Sequence, residues 1–196
     1  IVSRDREHFP DQSLLVHRFK IALSMRERFY RRPFYRLVFG ESDGLPGLVV
    51  DRYGPYLAVQ ITTAGMEAMR EAIIAALTKV LRPKGILLRN DGPVRTLEGL
   101  ERYVEVAAGE VPAQVELREG HGRFRTSLHE GQKTGWFYDQ AANRERMQHY
   151  VSGKRVLDCF SYAGAWGVRA ALSGAESVTC VDASGTALAM VEENAE

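Results

Sequence analysis

Two acids stand at the ends of short apolar runs near the C-terminus. Asp158 sits in Arg155-Val156-Leu157-Asp158-Cys159, and Asp182 follows Val178-Thr179-Cys180-Val181. After the first run comes Ser161-Tyr162-Ala163-Gly164-Ala165-Trp166-Gly167, a loop of small residues that leads into a helix. In an open α/β sheet, ligands bind at the carboxyl ends of the strands. Ala163 and Gly164 let a ligand approach the backbone closely. A dinucleotide site would need GxGxxG, with a pyrophosphate on the helix N-terminus. Here the first glycine is missing, and Asp158 would repel a pyrophosphate. A carboxylate at that place suits a cationic ligand. S-adenosylmethionine carries a sulfonium and an α-amino group and no phosphate, and Asp158 would draw in the amino group, directly or through water. Asp182, at the tip of the next strand, is placed to accept hydrogen bonds from both ribose hydroxyls of a nucleoside. Either acid alone also reads as a helix N-cap, Asp182 most of all. The two together, each after a strand, are the more specific signal.

A second polar segment precedes them, Glu130 to Arg144, with three consecutive aromatics at Trp136, Phe137 and Tyr138. Gln132, Lys133 and Thr134 are candidates to touch the carboxylate end or the adenosine of the ligand, and Phe137 to cover it. The plainer reading is a linker with an aromatic anchor, in which Asp139 caps the following helix.

These residues need elements to hold them. Residues 11–31 read as one amphipathic helix, capped by Asp11 or Ser13 and stopped before Pro33. Its other face carries Arg18, Lys20, Arg26, Arg28, Arg31 and Arg32, either an RNA-facing surface or a solvated helix face. Strands are expected at 35–39, 48–51, 56–61, 86–89, 103–107, 113–117 and 122–127, the last two as a hairpin, with a helix at 65–81. That makes 34–128 a mixed α+β unit. From there the pattern changes: helix 141–150, strand 155–159, helix 165–172, strand 177–181 and helix 186–196. This β-α-β-α order opens a parallel, doubly wound sheet, so the fold class is α/β.

The segments at 40–60 (GESDGLPGLVVDRYGPYLAVQ), 130–144 (EGQKTGWFYDQAANR) and 155–172 (RVLDCFSYAGAWGVRAAL), followed by VTCVDAS, together resemble the bacterial 23S ribosomal RNA cytosine-C5 methyltransferase family. The resemblance covers nearly the whole chain, in order. It implies a three-part protein: an RNA-binding PUA domain, a mixed α+β middle domain, and a Rossmann-like class I methyltransferase domain. On that pattern, residues 1–33 are a linker and helix after the PUA domain. Residues 34–128 are the middle domain, and 129–196 are the first part of the methyltransferase domain. It also implies that Asp158, Ser161, Tyr162, Gly164 and Asp182 line a pocket for S-adenosylmethionine, closed from the other side by Gln132, Lys133, Thr134 and Phe137. The chain departs from the family at Tyr138, where Leu is usual, and at Ala141, where Arg is usual, so no role is carried to position 141. Trp166 stands where a small or aromatic residue is usual. The resemblance implies a cysteine nucleophile, since a thiolate adding at C6 of cytosine makes C5 enamine-like and a base then removes the C5 proton. That cysteine is expected beyond Glu196, so no catalytic residue is assigned and the chain is expected to be inactive alone.

Other features bound the reading. No run approaches the roughly 18 apolar residues of a membrane span. Arg4, Asp5, Arg6 and Glu7 stand where a signal peptide would be apolar. The first residue is not Met, and a longer natural N-terminus is expected. Cys159 and Cys180 have no metal-ligand spacing and read as buried small hydrophobes, so no metal and a reducing, cytoplasmic setting are expected. A net charge of +1 neither requires nor excludes nucleic acid, and ribosomal RNA is the expected partner. A two-strand parallel sheet leaves an apolar edge, which either pairs in a homodimer or belongs to a longer protein. The rival functions are a guanine-N7 ribosomal RNA methyltransferase, an NAD-dependent oxidoreductase, and a non-catalytic RNA-binding module.

Overall fold

The computed structural model describes residues 10–196; the charged run from Arg4 to Glu7 and the start of the 1–33 segment lie outside the described residues. The chain forms two compact units, Ile1–Ala113 with Leu128–Trp136, and Gln114–Ser127 with Phe137–Glu196.

In the first unit, α1 spans Gln12–Phe29. Asp11 caps it by accepting the Leu14 N–H at 2.9 Å, and Leu15, Phe19 and Ala22 recur on one buried face. It ends at Tyr30, whose extended backbone precedes Pro33. A five-stranded sheet follows in the order β1 (Phe34–Phe39), β2 (Leu48–Tyr53), β3 (Tyr56–Ile61), β4 (Gly85–Asn90) and β5 (Tyr103–Gly109). β2 and β3 are joined by Gly54-Pro55, with Gly54 at φ +62°, a conformation only glycine enters without strain. β3 and β4 alone run parallel, because the chain crosses between them through α2 (Ala64–Glu67) and α3 (Arg70–Leu81).

The helix expected at 65–81 is thus two pieces. Met69 leaves the helical region at φ −100°, ψ 9°, while Glu67 is tied to the Tyr103 hydroxyl at 2.9 Å and to Arg95 at 2.8 Å. Those ties fix the first turn separately from α3, whose Ile73, Ala76 and Leu77 pack on the sheet. Arg95 lies in a single helical turn, α4 (Val94–Leu97), which is too short to carry a hydrophobic period.

One face of the sheet, with Leu48, Val50, Leu57, Val59 and Leu88, packs with Leu15 and Phe19 of α1 and Ile73 and Leu77 of α3. The other face is set by register. Asp51, Ala58 and Leu87 are neighbours across β2, β3 and β4, and Tyr53 and Arg89 lie two residues further along the same face. Residues Leu128–Trp136 bond to this face through Asp51, Tyr53 and Arg89.

The second unit begins with the hairpin β6 (Val115–Glu119) and β7 (Gly122–Thr126), turned at Gly120-His121. It packs with α6 (Ala165–Leu172) and α7 (Gly185–Ala195). Arg144 of α5 (Ala141–Val151) shows why. Fully buried, it forms a bidentate pair with Glu119 at 2.6 Å and donates to the Phe137 carbonyl at 2.9 Å. The Asn194 amide of α7 adds a second tie, accepting the Arg125 N–H and donating to the Arg125 and Ala163 carbonyls. β8 (Arg155–Cys159) and β9 (Ser177–Val181) pair in parallel around α6, as the β-α-β pattern predicts. Both strands alternate half-buried and exposed residues, so the helices cover one face only. Cys159 points to the other face and is exposed, against the expectation of burial; Cys180 is half-buried. Among the described residues, no helix is long and apolar enough to cross a membrane.

Candidate functional site at the ends of β8 and β9

The carboxyl ends of β8 and β9 are joined by a tight set of backbone bonds. The Ser161 N–H donates to Val181 O at 3.1 Å and the Gly164 N–H to Ser161 O at 2.8 Å. Phe160 (φ +61°), Tyr162 (φ +48°) and Gly164 (φ +76°) all adopt left-handed conformations. For the two non-glycine residues this costs energy, and such positions concentrate at ligand sites.

Asp182 organises the loop. One carboxylate oxygen accepts the Tyr162 N–H and the other the Ser184 N–H, both at 2.9 Å. The Ser184 bond and then the Tyr162 bond hold its carboxyl below the ordinary Asp range. Each oxygen has two lone pairs, so the carboxylate keeps acceptor capacity beyond these bonds. The helix cap itself is Ser184, whose hydroxyl accepts the Ala187 N–H. Asp182 is therefore not the N-cap of α7.

Asp158 points back into the start of α6, where it accepts the Gly167 N–H at 2.9 Å. Burial pushes its carboxyl above the usual range and the nearby Asp182 charge adds to the rise, while the Gly167 bond opposes it. Gly167 is required there, since a Cβ would stand 2.4 Å from Cys180 Sγ and 3.3 Å from Asp158 Oδ2. Burial, then the Asp158 charge, raises the Cys180 thiol, so it is not an activated nucleophile.

Two observations bear on whether a nucleoside with a cationic tail fits. Ser161 is 4% exposed, and its hydroxyl finds no hydrogen-bond partner, an orphan at the strand tip that a ligand would satisfy. The acid pair leaves a negative potential that a cation relieves and a phosphate worsens. Phe137 and Tyr162 meet edge to face, with ring centroids 5.9 Å apart. Beside Asp158 a concavity of about 420 Å³ is lined by Met147, Leu157, Phe160 and Trp166.

Of the residues singled out in the sequence, Asp158, Ser161, Tyr162, Gly164, Asp182 and Phe137 fall in this unit. Gln132, Lys133 and Thr134 fall in the first. There Gln132 and Lys133 are exposed, with Lys133 at φ +52°. Thr134 is fully buried, and its hydroxyl donates to Asp51. Asp51 also receives a bidentate pair from Arg36 at 2.9 and 3.0 Å. The Tyr53 hydroxyl donates to Thr134 O at 3.0 Å, and Arg89 donates to the carbonyls of Leu128 and Gly131. Sequence reading missed these anchors, although an Asp within Leu48-Val49-Val50-Asp51 signals a buried charge that needs a partner.

Residues 100–195 match the family model described as S-adenosylmethionine-dependent methyltransferase. The chain is 41% identical over 196 residues to ribosomal RNA large subunit methyltransferase I of Aeromonas salmonicida, covering 98% of this chain and 50% of that protein. It is 41% identical over 163 residues to the protein of the same name in Escherichia coli O157:H7, covering 83% of this chain and 41% of the relative. The chain thus spans about half the length of the curated relatives it matches. Among solved structures, a SAM-dependent methyltransferase from Streptococcus mutans superposes with TM-score 0.85 at 24% identity, covering 99% of this chain and 50% of that one. A methyltransferase complexed with SAH has the same score, identity and coverage. At that identity the likeness speaks for the Rossmann-like fold. In open α/β folds of this kind, ligands bind at the carboxyl ends of the strands.

Proposed function

We propose that this chain binds S-adenosylmethionine at the ends of β8 and β9, and that it serves a methyltransferase acting on C5 of a cytosine in 23S ribosomal RNA. The observation that carries the cofactor site is the acid pair flanking the orphaned Ser161 hydroxyl. The names of the 41%-identical relatives support ribosomal RNA as substrate, and the resemblance in sequence supports cytosine C5. Bound there, the cofactor supplies an electrophilic methyl group.

The chain's own residues bind and orient. Asp182 accepts the ribose hydroxyls on its remaining lone pairs. Asp158 holds the α-amino group, and Ser161 Oγ bonds the same end of the ligand. Gly164 supplies the left-handed turn of the loop, where a Cβ would press on Val191 and Val168, and Tyr162 and Phe137 shield the base from water. Gln132 and Lys133 are assigned to the cofactor on resemblance, to be tested by their own alanine variants. Thr134 acts indirectly, by fixing the loop that carries them.

The test is calorimetric titration of S-adenosylhomocysteine into the protein and into Asp182→Ala. Binding should weaken by about 1–3 kcal/mol, the cost of hydroxyls left unpaired. Because Asp182 also holds the Tyr162 and Ser184 amides, a 2′,3′-dideoxyribose analogue is titrated in parallel. With it, the difference between the two proteins should vanish. Absence of any S-adenosylhomocysteine binding would overturn the reading. The base is decided in cells lacking the gene, whose 23S RNA should lose one 5-methylcytosine; loss of an N7-methylguanosine instead would move the target to guanine.

A further inference from the structure

The segment from Arg26 to Phe39 is unusual in composition. Between residues 12 and 40 the sole acid is Glu27, against Arg18, Lys20, Arg26, Arg28, Arg31, Arg32 and Arg36. The structure sorts these cations into two sets. Arg26 and Arg36 are structural: Arg26 makes a bidentate pair with Asp43, and Arg36 with buried Asp51. Lys20, Arg28, Arg31 and Arg32 are exposed, and no carboxylate among the described residues pairs with them.

Aromatic rings are interleaved with the second set. Phe29 is 78% exposed, Phe39 54% and Tyr30 45%. Three exposed rings standing together among exposed cations need an explanation. Tyr30 and Phe39 are also held in place. Tyr30 lies 5.1 Å from Tyr35, whose ring is overlaid by Arg52, and the Arg36 guanidinium lies 5.3 Å from the Phe39 ring. Arg26 fixes the end of α1 to β1, since its Nε donates to Arg36 O at 3.2 Å and its partner Asp43 accepts the Phe39 N–H at 2.7 Å. Further back on α1, Ile21 and Met25 continue the exposed stripe beside Lys20 and Arg28, around a shallow concavity of about 400 Å³.

We propose that the C-terminal end of α1 and the adjoining β1 form a binding surface for single-stranded RNA, with bases stacked on Phe29, Tyr30 and Phe39 and phosphates paired with Arg28, Arg31 and Arg32. Charge selects a polyanion, and the exposed rings between the cations select unpaired bases over a duplex, whose bases are already stacked. An apolar partner protein would leave the unpaired guanidinium groups stranded at the interface. The choice of RNA over another polyanion rests on the methyltransferase reading above.

The experiment measures binding of a labelled single-stranded RNA 12-mer by fluorescence anisotropy across a salt series. It uses the chain itself and the variants Phe29→Ala, Phe29→Trp, Arg31→Ala with Arg32→Ala, and Asp182→Ala. All the substituted patch residues are exposed, and circular dichroism verifies the folds. Phe29→Ala should weaken binding about 5- to 100-fold, the loss of one stacked base, and Phe29→Trp should restore it. The double arginine variant should flatten the plot of log K against log salt by about 0.7 for each phosphate it no longer neutralises. Asp182→Ala should bind RNA as the parent does. The proposal falls if Phe29→Ala and the double variant both bind RNA unchanged, or if polyglutamate or duplex RNA competes as well as the unlabelled single strand. Titrating S-adenosylhomocysteine into the same samples separates the two readings. No cofactor binding with Phe29-dependent RNA binding would remove the methyltransferase site and leave this surface standing. Normal cofactor binding with indifferent patch variants would do the reverse.

Discussion

Asp158 and Asp182 show how two chemically identical groups are driven apart by their surroundings. Backbone donors depress Asp182, whereas burial raises Asp158. Asp182 therefore stays ionised to lower pH, and Asp158 takes up its proton first as pH falls, at a value above the ordinary carboxylate range. If Asp158 holds the α-amino group, S-adenosylhomocysteine affinity should drop as pH is lowered through that value, because the attraction disappears with the charge. In Asp158→Asn the drop should be absent and affinity should be low throughout. Calorimetry at a series of pH values reads both. Stability should move the other way. A raised carboxyl opposes folding once ionised, above its folded pKa, so at neutral pH Asp158→Asn should be at least as stable as the parent, with the amide oxygen still accepting the Gly167 N–H. A urea midpoint that falls while binding is unchanged would show that Asp158 is only a helix cap.

The elements that carry these acids are legible in the sequence to the residue: 155–159, 165–172 and 177–181 are a strand, a helix and a strand as read. Short apolar runs separated by Gly164 and Gly174 leave little choice of boundary. What stays hidden is long-range pairing. Nothing local says that Thr134 gives its hydroxyl to Asp51, or that Glu119 of the hairpin belongs to Arg144. The exposure of Cys159 is hidden for a related reason, since an apolar run does not disclose which strand face is covered. The anchoring of Leu128–Trp136 yields its own expectation. Thr134→Val removes one charge-assisted bond to a carboxylate that Arg36 still pairs, and should cost about 1.5–3 kcal/mol. Asp51→Ala leaves Arg36 and Thr134 without their acceptor and should cost more, about 3–5 kcal/mol. Urea denaturation measures both, and equal costs would show that Arg36 is indifferent to Asp51. At the other site, Gly167→Ala should destabilise by about 1–3 kcal/mol by overpacking. Because the clash is with Cys180 Sγ, much of that loss should be recovered in the double variant Gly167→Ala, Cys180→Ala.

At the scale of the whole molecule, the central strands of the five-stranded sheet and the β8–β9 pair differ in how completely they are buried. In the first, every residue of β4 is buried, and Leu48, Val50, Val59, Ile61 and Leu88 have no exposed surface. In the second, β8 and β9 contain no buried residue, and Leu157 (64%) and Val181 (49%) lie open on the uncovered face. At about 25 cal/mol per Å² of apolar area removed from water, that difference favours the first unit by several kcal/mol. The chain also carries a reporter for each. Its two tryptophans are Trp136, buried in the first unit, and Trp166, half-buried in α6 of the second. In Trp136→Phe the fluorescence follows only the second unit, and in Trp166→Phe only the first. The Trp166 signal should be lost at lower urea than the Trp136 signal, and amides of β8 and β9 should exchange with deuterium before those of β3 and β4. Saturating S-adenosylhomocysteine should move the Trp166 transition upward, since a ligand stabilises the unit that binds it. Should the two tryptophans instead report a single midpoint that shifts as one, the units fold cooperatively, and cofactor binding at the strand tips would stabilise the five-stranded sheet as well.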